Sequence, residues 1–73
     1  MNTAIVTMFT RGMNEDFENS LTENNMRITS EKSEDGITTI ELEYDNSYGK
    51  FSMNDAMFMI QMEHPAILTV KYR

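Results

Sequence analysis

Residues 26–44 read MRITSEKSEDGITTIELEY, and the Asp35-Gly36 pair in the middle of this stretch decides the fold. A two-residue hairpin turn of the primed type needs positive φ at both central positions, which Asp and Gly tolerate better than most pairs. The flanks have the alternation of strands. After the turn, Thr38, Ile40, Leu42 and Tyr44 fall on one face of Ile37–Tyr44, and Thr39, Glu41 and Glu43 on the other. One side of that strand is buried and the other faces water. Before the turn, Met26, Ile28 and Ser30 alternate with Arg27, Thr29 and Glu31 over residues 26–33. This weaker, more polar pattern belongs to an edge strand.

Upstream of the hairpin, Thr3–Thr10 reads TAIVTMFT, rich in β-branched and aromatic residues. Ala4, Val6 and Met8 alternate with Ile5 and Phe9, so both faces are largely apolar, as in a central strand. Gly12 breaks the run. Asn14 is a good N-cap, and Glu15 and Asp16 stand in the first turn, where the helix dipole favours acids. Phe17 and Leu21 form a narrow apolar stripe on a short helix that ends at Asn24-Asn25, where Asn takes the left-handed C′ conformation.

Downstream, residues 45–50 (DNSYGK) are turn material. Ser52 followed by Asp55 resembles a capping box opening a second helix from about Met53 to Glu63, and Pro65 stops it. Residues 66–72 then alternate Ala66, Leu68, Val70 and Tyr72 against Ile67, Thr69 and Lys71. The order is β-α-β-β-α-β within one small domain covering residues 1–73. This is the split βαβ, ferredoxin-like α+β arrangement: a four-stranded antiparallel sheet, first and third strands central, with two helices on one face. The alternative is a rearranged α+β sandwich whose hairpin pairs with another copy.

Composition excludes much. The 73 residues contain no Cys, so there is no disulfide framework, thiolate zinc site or thiol nucleophile. Apolar runs are far shorter than a membrane span, no secretory leader is expected, and the expected location is cytoplasmic. Twelve acids against six bases give a net charge of −6, which repels nucleic acid and anionic lipid and favours cationic partners. Ala, Gly, Pro and Arg are scarce while Asn, Ile, Met, Glu and Thr are plentiful, the bias of an AT-rich coding sequence such as those of low-GC bacteria and their phages.

Catalytic constellations are hard to find. The three glycines stand apart at 12, 36 and 49, so no P-loop or dinucleotide fingerprint exists, and no nucleophile elbow frames a serine. His64, the only histidine, falls in the last turn of the second helix near its core side, where imidazole bonds a free carbonyl or faces the negative dipole end. Glu41, Glu43 and Asp45 recur at a spacing of two, within reach of a hard cation, but acids on the solvent face of a strand usually serve solubility. The expectation is therefore no metal, no cofactor and no enzymatic activity. Phe9 or Tyr44 could imitate the base-stacking aromatics of an RNA-recognition module. Carboxylates on the third strand would, however, repel the phosphate backbone.

The second helix is the informative segment. Met53, Ala56, Met57 and Ile60 form the expected core stripe at i, i+3, i+4, i+7. Phe58, Met59 and Met62 point to the other side, near Asp55, where a helix on a sheet should be charged. Met suits surfaces that accommodate partners, and an exposed apolar patch marks an interface. The competing expectation is a tilted helix that tucks Phe58 or Met59 under the segment 45–50. The first candidate occupant is a second copy meeting helix to helix about a twofold axis, and a foreign protein is the second. The sequence thus points to a small acidic, non-enzymatic protein-binding module. Phe58, Met59 and Met62 would be its anchors, and Glu41, Glu43 and Asp45 its electrostatic complement. The matching biological role is a phage- or mobile-element-encoded inhibitor of a host defence or nucleic-acid-binding protein, acting by imitating nucleic-acid charge. The alternative is a homodimeric regulatory domain that binds a small ligand.

Overall fold

The structure, a computed structural model, describes residues 2–45 and 52–73. Its elements are β1 (Thr3–Phe9), a 3-10 turn (Thr10–Gly12), α1 (Glu15–Glu23), β2 (Met26–Glu34), β3 (Ile37–Tyr44), α2 (Met53–Glu63) and β4 (Ile67–Tyr72). The four strands form one antiparallel sheet in the order β2-β3-β1-β4. This is the expected ferredoxin-like arrangement, with the first and third strands central; the rearranged sandwich is not what forms.

Local chemistry accounts for the boundaries. Asp35 and Gly36 sit at φ 52° and 78°, both left-handed, as a primed hairpin turn demands. Asn25 follows the end of α1 at φ 59°, the C′ conformation that lets a helix stop. The Asn14 side chain accepts the Phe17 N–H at 3.0 Å, and Ser52 Oγ accepts the Asp55 N–H at 3.2 Å, so both helices carry side-chain N-caps. The turn expected at residues 45–50 lies, from residue 46 onward, outside the described residues.

The core lies between the sheet and the helix layer. Ala4, Val6 and Met8 of β1 meet Ile40, Leu42 and Tyr44 of β3 beneath Phe17 and Leu21 of α1 and Met53, Ala56, Met57 and Ile60 of α2. Thr38 is the one buried polar side chain among the described residues. Its hydroxyl shares hydrogen bonds with Thr10 Oγ1 at 2.8 Å and Ser33 Oγ at 2.7 Å, so its burial leaves no lone hydroxyl.

Three expectations need correction. Thr10 leaves β1 and opens the 3-10 turn, while β2 runs one residue further than expected, to Glu34. β4 begins at Ile67, and its pairing with β1 shifts between Thr7 and Met8, so that Ile67 lies opposite Met8 and Thr69 opposite Thr7. Leu68 is the extra residue. A bulge of this kind resets the alternation, and Ile67 packs against the core while Leu68 is exposed.

Candidate functional site

All four inward positions of α2, Met53, Ala56, Met57 and Ile60, are buried. With that stripe fixed, the step of roughly 100° between residues forces Phe58, Met59 and Met62 away from the sheet. They are 64%, 51% and 72% exposed, respectively. Water at the back of this helix therefore meets an aromatic ring and two thioethers, where a helix of a two-layer fold normally carries charge.

The carboxylates that were to complement this patch lie elsewhere. Ile40, Leu42 and Tyr44 point from β3 into the core, so Glu41 and Glu43 necessarily occupy the opposite, helix-free face of the sheet. There each meets an arginine. Arg27 Nη2 donates to Glu43 Oε1 at 2.7 Å, and Arg73 Nη1 donates to Glu41 Oε2 at 2.8 Å. Thr29 Oγ1 donates to the Glu41 carbonyl at 3.3 Å. Asp45 is exposed just beyond β3, and its N–H donates to the Asn25 carbonyl at 2.9 Å. The six residues singled out thus divide into an apolar set outside the helix layer and an acidic set on or beside β3. Exposed ion pairs of this kind stabilise by about 0–1 kcal/mol each; their larger effect here is to neutralise Glu41 and Glu43 locally. Among the described residues no three carboxylates or imidazoles gather as a metal ligand set.

Of the two roles its position suggested, His64 stands at the negative C-terminal end of α2, and its ring meets a hydroxyl rather than a free carbonyl. It caps α2, its backbone N–H donating to the Ile60 carbonyl at 2.9 Å, and its Nε2 lies 2.9 Å from Ser20 Oγ on α1. The Phe17 ring meets the imidazole edge-on, with centroids 5.3 Å apart. Ser20 was not visible in the sequence as a partner, since the two residues stand 44 apart and no local pattern links them. A hydroxyl bonded to an imidazole is one part of a nucleophile–base pair. Activation further needs an acid orienting the other ring nitrogen and donors for a developing oxyanion. Among the described residues no carboxylate bonds His64 Nδ1. The contact ties α1 to the cap of α2. Ser20→Ala is expected to lower stability by about 1 kcal/mol, read as a fall of roughly 4–8 °C in the thermal midpoint. An unchanged midpoint would deny the tie any weight.

Of the large apolar side chains left exposed among the described residues, Phe58, Met59 and Met62 lie on α2, Leu68 and Tyr72 on β4, and only Phe9 elsewhere. Desolvation raises the pKa of the Tyr72 phenol above its ordinary 10.0. Compared with known proteins, the chain matches no family model, no curated protein and no solved structure. Among the described residues no helix is long and apolar enough to cross a membrane.

Proposed function

We propose that this chain is a non-enzymatic protein-binding module that docks through the outward face of α2. The observation that carries the reading is the exposure of Phe58, Met59 and Met62 on a helix whose core stripe is complete without them. Burying such side chains against a partner removes apolar surface at about 25 cal/mol per Å², and thioethers adapt to the surface they meet. The net charge of −6 steers the module toward cationic protein surfaces, an attraction that salt weakens. That combination suits a small inhibitor of a host nucleic-acid-binding or defence protein, encoded by a phage or mobile element and acting in the host cytoplasm. In this setting Asp45 and the acids of α1 contribute to the long-range field rather than to the contact, while Glu41 and Glu43 are offset by Arg73 and Arg27.

Phe58→Ala combined with Met62→Ala tests the reading. The double variant is expected to lose most of the chain's association with protein, measured by sedimentation of the purified chain and by quantitative cross-linking to candidate basic partners. Its thermal midpoint should stay within a few degrees of the parent, because exposed side chains contribute little to folding. Unchanged association, or a large loss of folding stability, would remove α2 as the docking face.

A further inference from the structure

We propose that the flank formed by α2 and β4 receives a second copy of this chain, with the two β4 strands pairing antiparallel to make one continuous eight-stranded sheet. The proposal rests on the reading of α2 as a protein-docking face and names the occupant.

The free edge of β4 differs from the other free edge of the sheet. β2 carries Glu31, Lys32 and Glu34, charges that keep an edge from pairing; each edge strand also has one pairing irregularity, in β2 between Ile28 and Ser30 and in β4 at Leu68. β4 presents Leu68, Val70 and Tyr72 with a single charge, Lys71. Its backbone orientation is fixed by the Arg73 N–H, which donates to the Thr3 carbonyl at 2.9 Å. Lys71 and Thr69 therefore also turn their backbone groups toward β1, while Val70 and Tyr72 turn theirs outward, to the edge that no described strand covers.

Charge favours the same flank for two identical molecules. Of the twelve acids, only Asp55 and Glu63 lie on α2 and none on β4, whereas Lys71 and Arg73 lie on or beside β4. The excess negative charge is borne by α1 and β3 and by Asp35 and Asp45, since the two acids of β2 are matched by Arg27 and Lys32. Two copies meeting across β4 keep those acidic halves at opposite ends of the sheet, the separation that like-charged copies need.

The side chains select a register. Residues with outward backbone groups must face one another, so the twofold axis passes through Thr69, Val70 or Lys71. An axis at Lys71 sets Lys71 directly against its copy, which is unfavourable. An axis at Thr69 sets Tyr72 against Ala66, short of the strand. With Val70 on the axis, Val70 faces its own copy and Thr69 faces Lys71 twice over, while the bulged Leu68 lies outside the regular pairing. α1 packs on β2, which leaves α2 on the β1–β4 side.

Thr69 is exposed, so it can be changed without disturbing the core, and it distinguishes this register from a general charge effect. Sedimentation velocity across concentration is the readout. The parent is expected to show a monomer–dimer equilibrium. Thr69→Lys is expected to weaken the dimer about tenfold by setting the introduced ammonium against Lys71 of the second copy, and Thr69→Glu to tighten it several-fold. Net-charge repulsion alone predicts the reverse order, since the chain is acidic. That reverse order, or a parent that stays monomeric, overturns the proposal. A dimer that ignores both Thr69 variants yet dissociates with Phe58→Ala and Met62→Ala overturns the β4 pairing while leaving α2 as the docking face. A dimer insensitive to all of them overturns both.

Discussion

Phe17→Ala is expected to lower the free energy of unfolding by about 3–5 kcal/mol. Phe17 is wholly buried, and it is the large aromatic with which α1 fills the space over the sheet. Its removal withdraws transfer free energy and leaves a cavity that Leu21 cannot fill from one turn away. A chain of 73 residues has a total stability of roughly 4–11 kcal/mol at ordinary per-residue values. The single substitution therefore removes a large share of the margin, and a population of unfolded chain becomes visible in a urea titration as a lowered midpoint at nearly unchanged slope. The loss also reaches α2, because the same ring supports the His64 imidazole edge-on.

The contrast with Phe58→Ala gives this prediction functional weight. The two substitutions delete the same atoms, but Phe58 is 64% exposed, and its truncation is expected to alter stability by no more than about 0.5 kcal/mol. Phe17 should govern folding and leave the intrinsic affinity of the surviving native fraction unaltered. Phe58 should govern association and leave folding unaltered. If the two phenylalanines exchanged these effects, the division between core and docking face would be wrong.

Much of the fold could be read from the chain because the deciding signals are local. Asp35-Gly36 supplies adjacent positive φ angles, Asn14 and Ser52 cap the helices within three residues, and the strand faces of β3 follow from alternation alone. The exposed face of α2 was legible for the same reason: once Met53, Ala56, Met57 and Ile60 take the core side, geometry fixes where Phe58, Met59 and Met62 go. What escaped is what depends on distant partners. The bulge that turns Ile67 rather than Leu68 toward the core arises where β4 meets β1. The arginines that neutralise Glu41 and Glu43 come from β2 and from the residue after β4, and Ser20 meets His64 only when the helices lie side by side. The division between the acidic set and the apolar patch likewise needed the layer order, since a carboxylate on β3 and a ring on α2 share no periodicity.

Gly12→Ala is expected to destabilise the fold by about 1–3 kcal/mol through overpacking, and the reason lies where β1 hands the chain to α1. Gly12 is buried, and a Cβ there would collide with the Ala66 Cβ and come within 2.9 Å of the Met8 Cε. The end of the Met8 side chain can swing away. The Ala66 methyl cannot, because it is attached directly to backbone whose carbonyl accepts the Phe9 N–H at 2.9 Å. The strain must then be relieved by moving the start of β4, beside the bulge. Loss of amide-exchange protection at Phe9, together with a lower unfolding midpoint, is the expected signature. Gly36→Ala provides the comparison: a Cβ there meets nothing, but φ is +78°, so its cost of about 1 kcal/mol is conformational and confined to the hairpin. Adding Ala66→Gly to Gly12→Ala removes the colliding methyl and should recover most of the loss, whereas adding it to Gly36→Ala should recover none. If Ala66→Gly rescued neither variant, the contact between the 3-10 turn and the start of β4 would not be what requires glycine at position 12.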